Sequence, residues 1–162
     1  MLEPWYIERV QKLIGYSLVN IHRVCDLVCF DFESSEVGAP TYALHAETLV
    51  RIIIEGKVIA CSHDMYIPSP YCINEVYKYD ESDSLFDFQI RQNMDVLIGQ
   101  SITNVTVLAY GDISISLERN ITISVSVTSS DSDPEMWRLL SSDETPSLIC
   151  SANQFVMSEN PP

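Results

Sequence analysis

The nine residues "LIGYSLVNI" (Leu13–Ile21) return 84 positions later as "LIGQSITNV" (Leu97–Val105). A short chain that repeats itself at that distance has to place two similar units in one fold, and the periodicity around each copy says what the units are. Ahead of Gly15, apolar residues fall at Tyr6, Val10, Leu13 and Ile14. Ahead of Gly99, the same i, i+4, i+7, i+8 spacing of an amphipathic helix recurs at Ile90, Met94, Leu97 and Ile98. Pro4 suits the N1 position of the first helix, and each glycine suits a helix end that needs left-handed backbone.

Both copies continue as alternating strands, "SLVNIHRV" and "SITNVTVL". The second strands, "CDLVCFDFES" and "GDISISLER", put Val28, Phe30 and Phe32, or Ile113, Ile115 and Leu117, on one face. Third strands follow as "TYALHAETL" and "NITISVSVT", then "VRIII" with Arg51 and "WRLLSS" with Arg138, then "KVIACSHDMY" and "PSLICSANQF". The alignment needs small gaps after the first strand and before the last. Between the copies, "PSPYCINEVYKYDESDS" has the prolines and acids of a surface connection.

The expected organisation is a first repeat over 1–67, a linker over 68–84, a second repeat over 85–157 and a fraying tail over 158–162. Each repeat reads as a helix followed by about five strands. One such half has little area to bury alone, whereas pairing with its copy buries both apolar faces. The expected class is α+β, mainly β, with the halves packed about a pseudo-twofold into one sheet system or barrel-like core.

The second half, with its opening glycine strand, its "GD" strand and its "EMWRLL" run, resembles a motif of small uncharacterised bacterial proteins with a duplicated β-rich module. The first half, with "YALHAETLVRI" and "ACSHDMYIP", is similar to their companion module. Val50 stands where the second copy has Trp137, so the Trp-Arg pair is complete once. The resemblance implies the duplicated architecture and brings no established activity, cofactor or catalytic residue with it.

Composition narrows the partners. Nine Lys and Arg against 23 Asp and Glu give a net charge of −14. Such a surface repels phosphate backbones and anionic lipid, so nucleic acid and membrane are not expected; the charge either serves solubility alone or suits a basic protein partner. No run approaches the roughly 18 apolar residues of a spanning helix, and the start lacks the order of a signal peptide. The five cysteines are an odd number without a metal-binding spacing, which reads as free thiols in a reducing, cytoplasmic setting.

Four residues have the chemistry of a metal or small-ligand site: His45 and Glu47, two apart on an expected strand, with His63 and Asp64 on a later segment of the same half. They present such a site only if those segments pair; otherwise His45 and Glu47 are solvent-facing alternates or partners of Arg51. Arg51 and Arg138, in otherwise apolar strands, call for carboxylate partners, and Asp26 and Asp112 at the starts of the second strands are the expected structural ion pairs. No nucleophile elbow or clustered glycine loop is present. Cys61-Ser62-His63-Asp64 places neighbours on opposite faces of a strand rather than converging on one atom.

The tyrosine-rich segment, with Tyr66, Tyr71, Tyr77 and Tyr79 beside acids, is either an interaction surface or a cover over the junction of the halves. The expectation is a non-enzymatic protein-binding module with a basic partner, in an immunity- or inhibitor-like role. The alternatives are a metal- or small-ligand site in the first repeat, with metal as its only cofactor, and a structural homo-oligomer such as a homodimer.

Overall fold

The computed structural model describes residues 4–73 and 76–158. The sequence alternation converts into strands that bury every second side chain. Tyr42–Ala46 (β3) buries Tyr42, Leu44 and Ala46, and Ile121–Ser126 (β8) buries Ile121, Ile123 and Val125. In chain order the elements are α1 (Trp5–Gln11), β1 (Ser17–Val24), β2 (Leu27–Glu33), β3, β4 (Leu49–Ile54), β5 (Lys57–Cys61) and a 3-10 turn (Ser62–Tyr66). There follow α2 (Leu85–Leu97), β6 (Ile102–Val107), β7 (Ile113–Leu117), β8, β9 (Glu135–Ser141), β10 (Leu148–Ser151) and β11 (Gln154–Met157). The protein is mainly β, with both sheets antiparallel throughout.

These strands form two sheets, not the one sheet system or barrel-like core that the alternation suggested. Sheet A runs β1-β2-β3-β9-β10-β11 and sheet B runs β5-β4-β8-β7-β6. The cause is local. β3 ends at Ala46 and β4 begins at Leu49, so a two-residue link carries the chain out of sheet A before β4 can pair with β3. Thr48 fixes the crossing by donating its hydroxyl to the Ser126 carbonyl at 2.6 Å. The stretch 127–134 takes the chain back. Edge strands β1 and β6 touch at their starts, around the isolated bridge Ser17–Ser101, without forming a ladder, and β5 and β11 remain separate edges, so no barrel closes.

The hairpins β2–β3 and β7–β8 pair their buried residues in like fashion. Val28, Phe30 and Phe32 oppose Ala46, Leu44 and Tyr42; Ile113, Ile115 and Leu117 oppose Val125, Ile123 and Ile121. β1 breaks register after Leu18 and β6 breaks it after Ile102, one bulge in each hairpin. Four backbone bonds join the strand starts in matching pairs. Gly15 N–H donates to Ile102 O (2.9 Å) and Gly99 N–H to Leu18 O (2.8 Å), while Leu18 N–H donates to Gln100 O (3.0 Å) and Ile102 N–H to Tyr16 O (2.7 Å).

The helices differ more than their patterns did. α2 carries a capping box in which Ser84 and Asp87 satisfy each other's backbone N–H groups. α1 stops at Gln11, with Pro4 as its N-cap rather than its N1 residue. Leu13 is still buried in the turn that follows, and Ile14 is exposed. Gly15 and Gly99 both have positive φ, as a left-handed helix exit requires.

The inner faces of both sheets and the apolar faces of the helices share one core. Trp137, fully buried, donates its indole N–H to the Gly111 carbonyl at 2.7 Å. A Cβ at Gly111 would lie 2.6 Å from Cys150 Sγ, so only glycine fits there.

Candidate protein-interaction surface

Segment 67–84 is pinned at its ends, and Tyr71, Ile73 and Val76 between them are exposed. Leu85 N–H donates to Ile67 O (2.8 Å) and Ser69 N–H to Asp83 O (3.0 Å), drawing the two ends together. Arg23, on the edge strand β1, ties down the returning half. It binds Asp87 through Nε (2.9 Å) and Nη2 (2.7 Å), and its Nη1 and Nη2 donate to the Tyr79 and Ser82 carbonyls. Burial alone would raise the Asp87 carboxyl pKa; the bonds from Arg23 and Ser84 outweigh it and hold the group below the usual carboxylate range. Arg91 adds a two-pronged bond to Asp83.

Within that frame the segment turns large side chains outward. Tyr71 is 75 % exposed, Ile73 94 % and Val76 72 %. Tyr66 and Tyr79 are also exposed, with rings 5.1 Å apart. Tyr71 lies edge-on to Phe88. Tyr77 differs from the other three tyrosines in being half-buried, its hydroxyl donating to the Met65 carbonyl.

Beside the tyrosines is a small pocket of about 230 Å³. Its walls come from the β1–β2 turn (Asp26), the link between sheets (Glu47, Thr48, Leu49), the 3-10 turn (Ser62, His63, Met65, Tyr66) and Thr128. The Asp26 carboxylate raises the pKa of the Tyr79 phenol, more than burial does. Among the described residues, the side chains of Asp26, Glu47 and Asp80 make no ion pair or hydrogen bond.

The four residues of the expected metal set do not converge. β3 pairs with β2 and β9, not with the segment carrying His63, so His45 sits on the outer face of sheet A. Glu47 lies beyond the end of β3, in the link between the sheets. Glu47 and His63 line the same pocket, while Asp64 is used by the backbone, accepting from Cys61 N–H at 2.8 Å. No group of three His, Cys, Asp or Glu suited to a metal ion occurs among the described residues.

The expected ion pairs are corrected as well. Arg138 binds Glu135, two-pronged at 3.0 and 2.7 Å, and Asp112 instead accepts from Val127 N–H at 2.7 Å. Arg51 and Asp26 make no ion pair among the described residues. The physical reason is the pleat: Arg51 alternates with buried Val50 and Ile52 and points away from the core, where no buried charge needs compensation.

On the outer face of sheet A, His22, Cys29, His45 and Arg138 form one cross-strand row. Burial pushes the Cys29 thiol up to about 11 and holds the His45 imidazole below its usual value. A protonated thiol is a poor nucleophile. An open groove of about 610 Å³ adjoins the row, lined by Asn20, Asp31, Glu33, Thr41 and Ser142 among others.

Sequence reasoning missed Arg23 and Asp87. Ser84 with Asp87 three residues on, ahead of an apolar run, is a helix-start signal that was there to find; Arg23 carries none. No helix among the described residues is long and apolar enough to cross a membrane. No family model, no curated protein and no solved structure matches the chain.

Proposed function

We propose that this chain is a non-enzymatic protein-binding module, cytoplasmic and acting on a basic partner in an immunity- or inhibitor-like way. One observation carries it: the pinned segment 67–84 turns Tyr71, Ile73, Val76 and Tyr79 to solvent, and the nearby carboxylates of Asp26, Glu47 and Asp80 form no ion pair among the described residues. Tyrosine offers wide contact area at small entropic cost, and uncommitted acids steer a basic protein toward it. The net charge of −14 adds long-range attraction.

The test is surface plasmon resonance against a panel of basic proteins and their lysine-acetylated forms, at low and high salt. The expected result is saturable binding to a panel member that weakens with salt and is lost in Tyr71→Ala and Tyr79→Ala. Binding that survives both substitutions would be non-specific charge attraction, and it sinks the proposal, as does a panel with no binder.

The architecture in this reading is a duplicated module of the bacterial type whose motifs the chain resembles, its halves related by a pseudo-twofold through Ser17 and Ser101. Its support is the matched register, the paired bulges and the reciprocal bonds of Gly15 and Gly99, each 84 residues from its counterpart.

A further inference from the structure

We infer that the pocket between Asp26, Glu47 and Tyr66 seats one cationic side chain, lysine or arginine, of the basic partner; this rests on the protein-binding reading above. Size is the first argument. At about 230 Å³ the pocket falls below the roughly 300–1,000 Å³ usual for small-molecule sites and suits a single side chain.

Its lining matches an alkyl stem ending in a diffuse positive charge. Leu49 and the buried Met65 supply apolar wall. Asp26 and Glu47 supply carboxylates from two separate connections, and neither forms an ion pair among the described residues. Tyr66 lines the pocket, and Tyr79, its ring tilted against that of Tyr66 with centroids 5.1 Å apart, extends the aromatic edge. Ring faces and carboxylates together are how proteins hold ammonium and guanidinium groups.

The chain supplies no such cation itself. None of its nine Lys and Arg residues lines the pocket. Lys78, Arg23, Arg91 and Arg138 are held by Glu81, Asp87, Asp83 and Glu135. The acids are also too dispersed for a metal ion, since no three-residue ligand group forms among the described residues.

The experiment titrates the full ¹⁵N-labelled chain with n-butylammonium, n-butylguanidinium and, as a neutral control, 1-pentanol. The expected result is saturable shifts at Asp26, Glu47, Thr48, His63 and Tyr66 with the cations alone, weakened about tenfold in Asp26→Asn/Glu47→Gln. Both substituted side chains are exposed, so an unchanged spectrum elsewhere certifies the fold of the variant. Shifts spread evenly over the acidic surface, equal shifts with pentanol, or titrations unchanged in the double variant overturn the assignment.

The panel of basic proteins separates this inference from its parent. A panel protein that binds the double variant as tightly as the parent chain, yet fails on Tyr71→Ala, overturns the pocket and leaves the interface. Cations that saturate the pocket while no basic protein binds overturn the partner as its occupant.

Discussion

At the scale of single residues, two side chains hold more than their sequence context suggests. Arg23 has a nearly buried guanidinium that joins β1, the linker and the start of α2. Removing one partner of such a pair leaves the other charge uncompensated. Arg23→Ala is expected to cost about 3 kcal/mol in urea unfolding, and Arg23→Lys to recover only part, because an ammonium lacks the planar fork. Trp137 and Gly111 form the second case. Gly111→Ala puts a side chain where φ is +115° and the nearest atom is 2.6 Å away. A loss of about 1–3 kcal/mol is expected from overpacking, with backbone strain added. Trp137→Phe leaves the Gly111 carbonyl without its indole donor, a penalty of about 1–3 kcal/mol. A thermal melt that shifts by less than a degree in either variant would contradict this account.

At the scale of elements, the pH response separates β3 from α2. Burial lowers the pKa of His45 on β3, so the unfolded chain takes that proton first. Its contribution is whole above the unfolded value of about 6.5 and declines as pH falls through that range. Asp87 at the α2 N-terminus has a lowered pKa, so its contribution is whole above about 3.9 and is lost as pH falls further. Urea unfolding from pH 7.5 to 3 is expected to show both declines, the upper one vanishing in His45→Gln. Within the tyrosine segment the four rings divide. Tyr77→Phe should cost about 1 kcal/mol through its hydrogen bond to Met65, and Tyr71→Ala should leave stability within about 0.5 kcal/mol while abolishing binding.

For the whole molecule, the strands were legible because alternation records which side chains face a core, and Val28, Phe30, Phe32, Ile113, Ile115 and Leu117 kept that record. Alternation says nothing about which strand lies alongside. The two-residue link at Glu47–Thr48 sends β4 to the other sheet and separates His45 from His63, while the return over 127–134 carries Arg138 away from Asp112, leaving it Glu135 on its own strand. Of the pocket, Tyr66 was legible in the tyrosine segment and Glu47 with His63 in the expected metal set; Asp26, Thr48 and Thr128 join them only through the fold. If the halves are copies, a fragment of residues 79–162 should pair with itself, β9 of each copy lying against β8 of the other. Sedimentation that shows only monomer at high concentration would count against the duplication.

Each sheet takes strands from both sides of the segment around residue 73: sheet A holds β1 to β3 with β9 to β11, and sheet B holds β4 and β5 with β6 to β8. A break in the exposed middle of that segment would cut the covalent chain without dividing either sheet. The two pieces, produced separately, would each lack the native neighbour of a central strand, and each would find it on the other. The chain is in this sense a ready-made fragment-complementation pair, whose reassembly would read out the meeting of any two proteins fused to its parts.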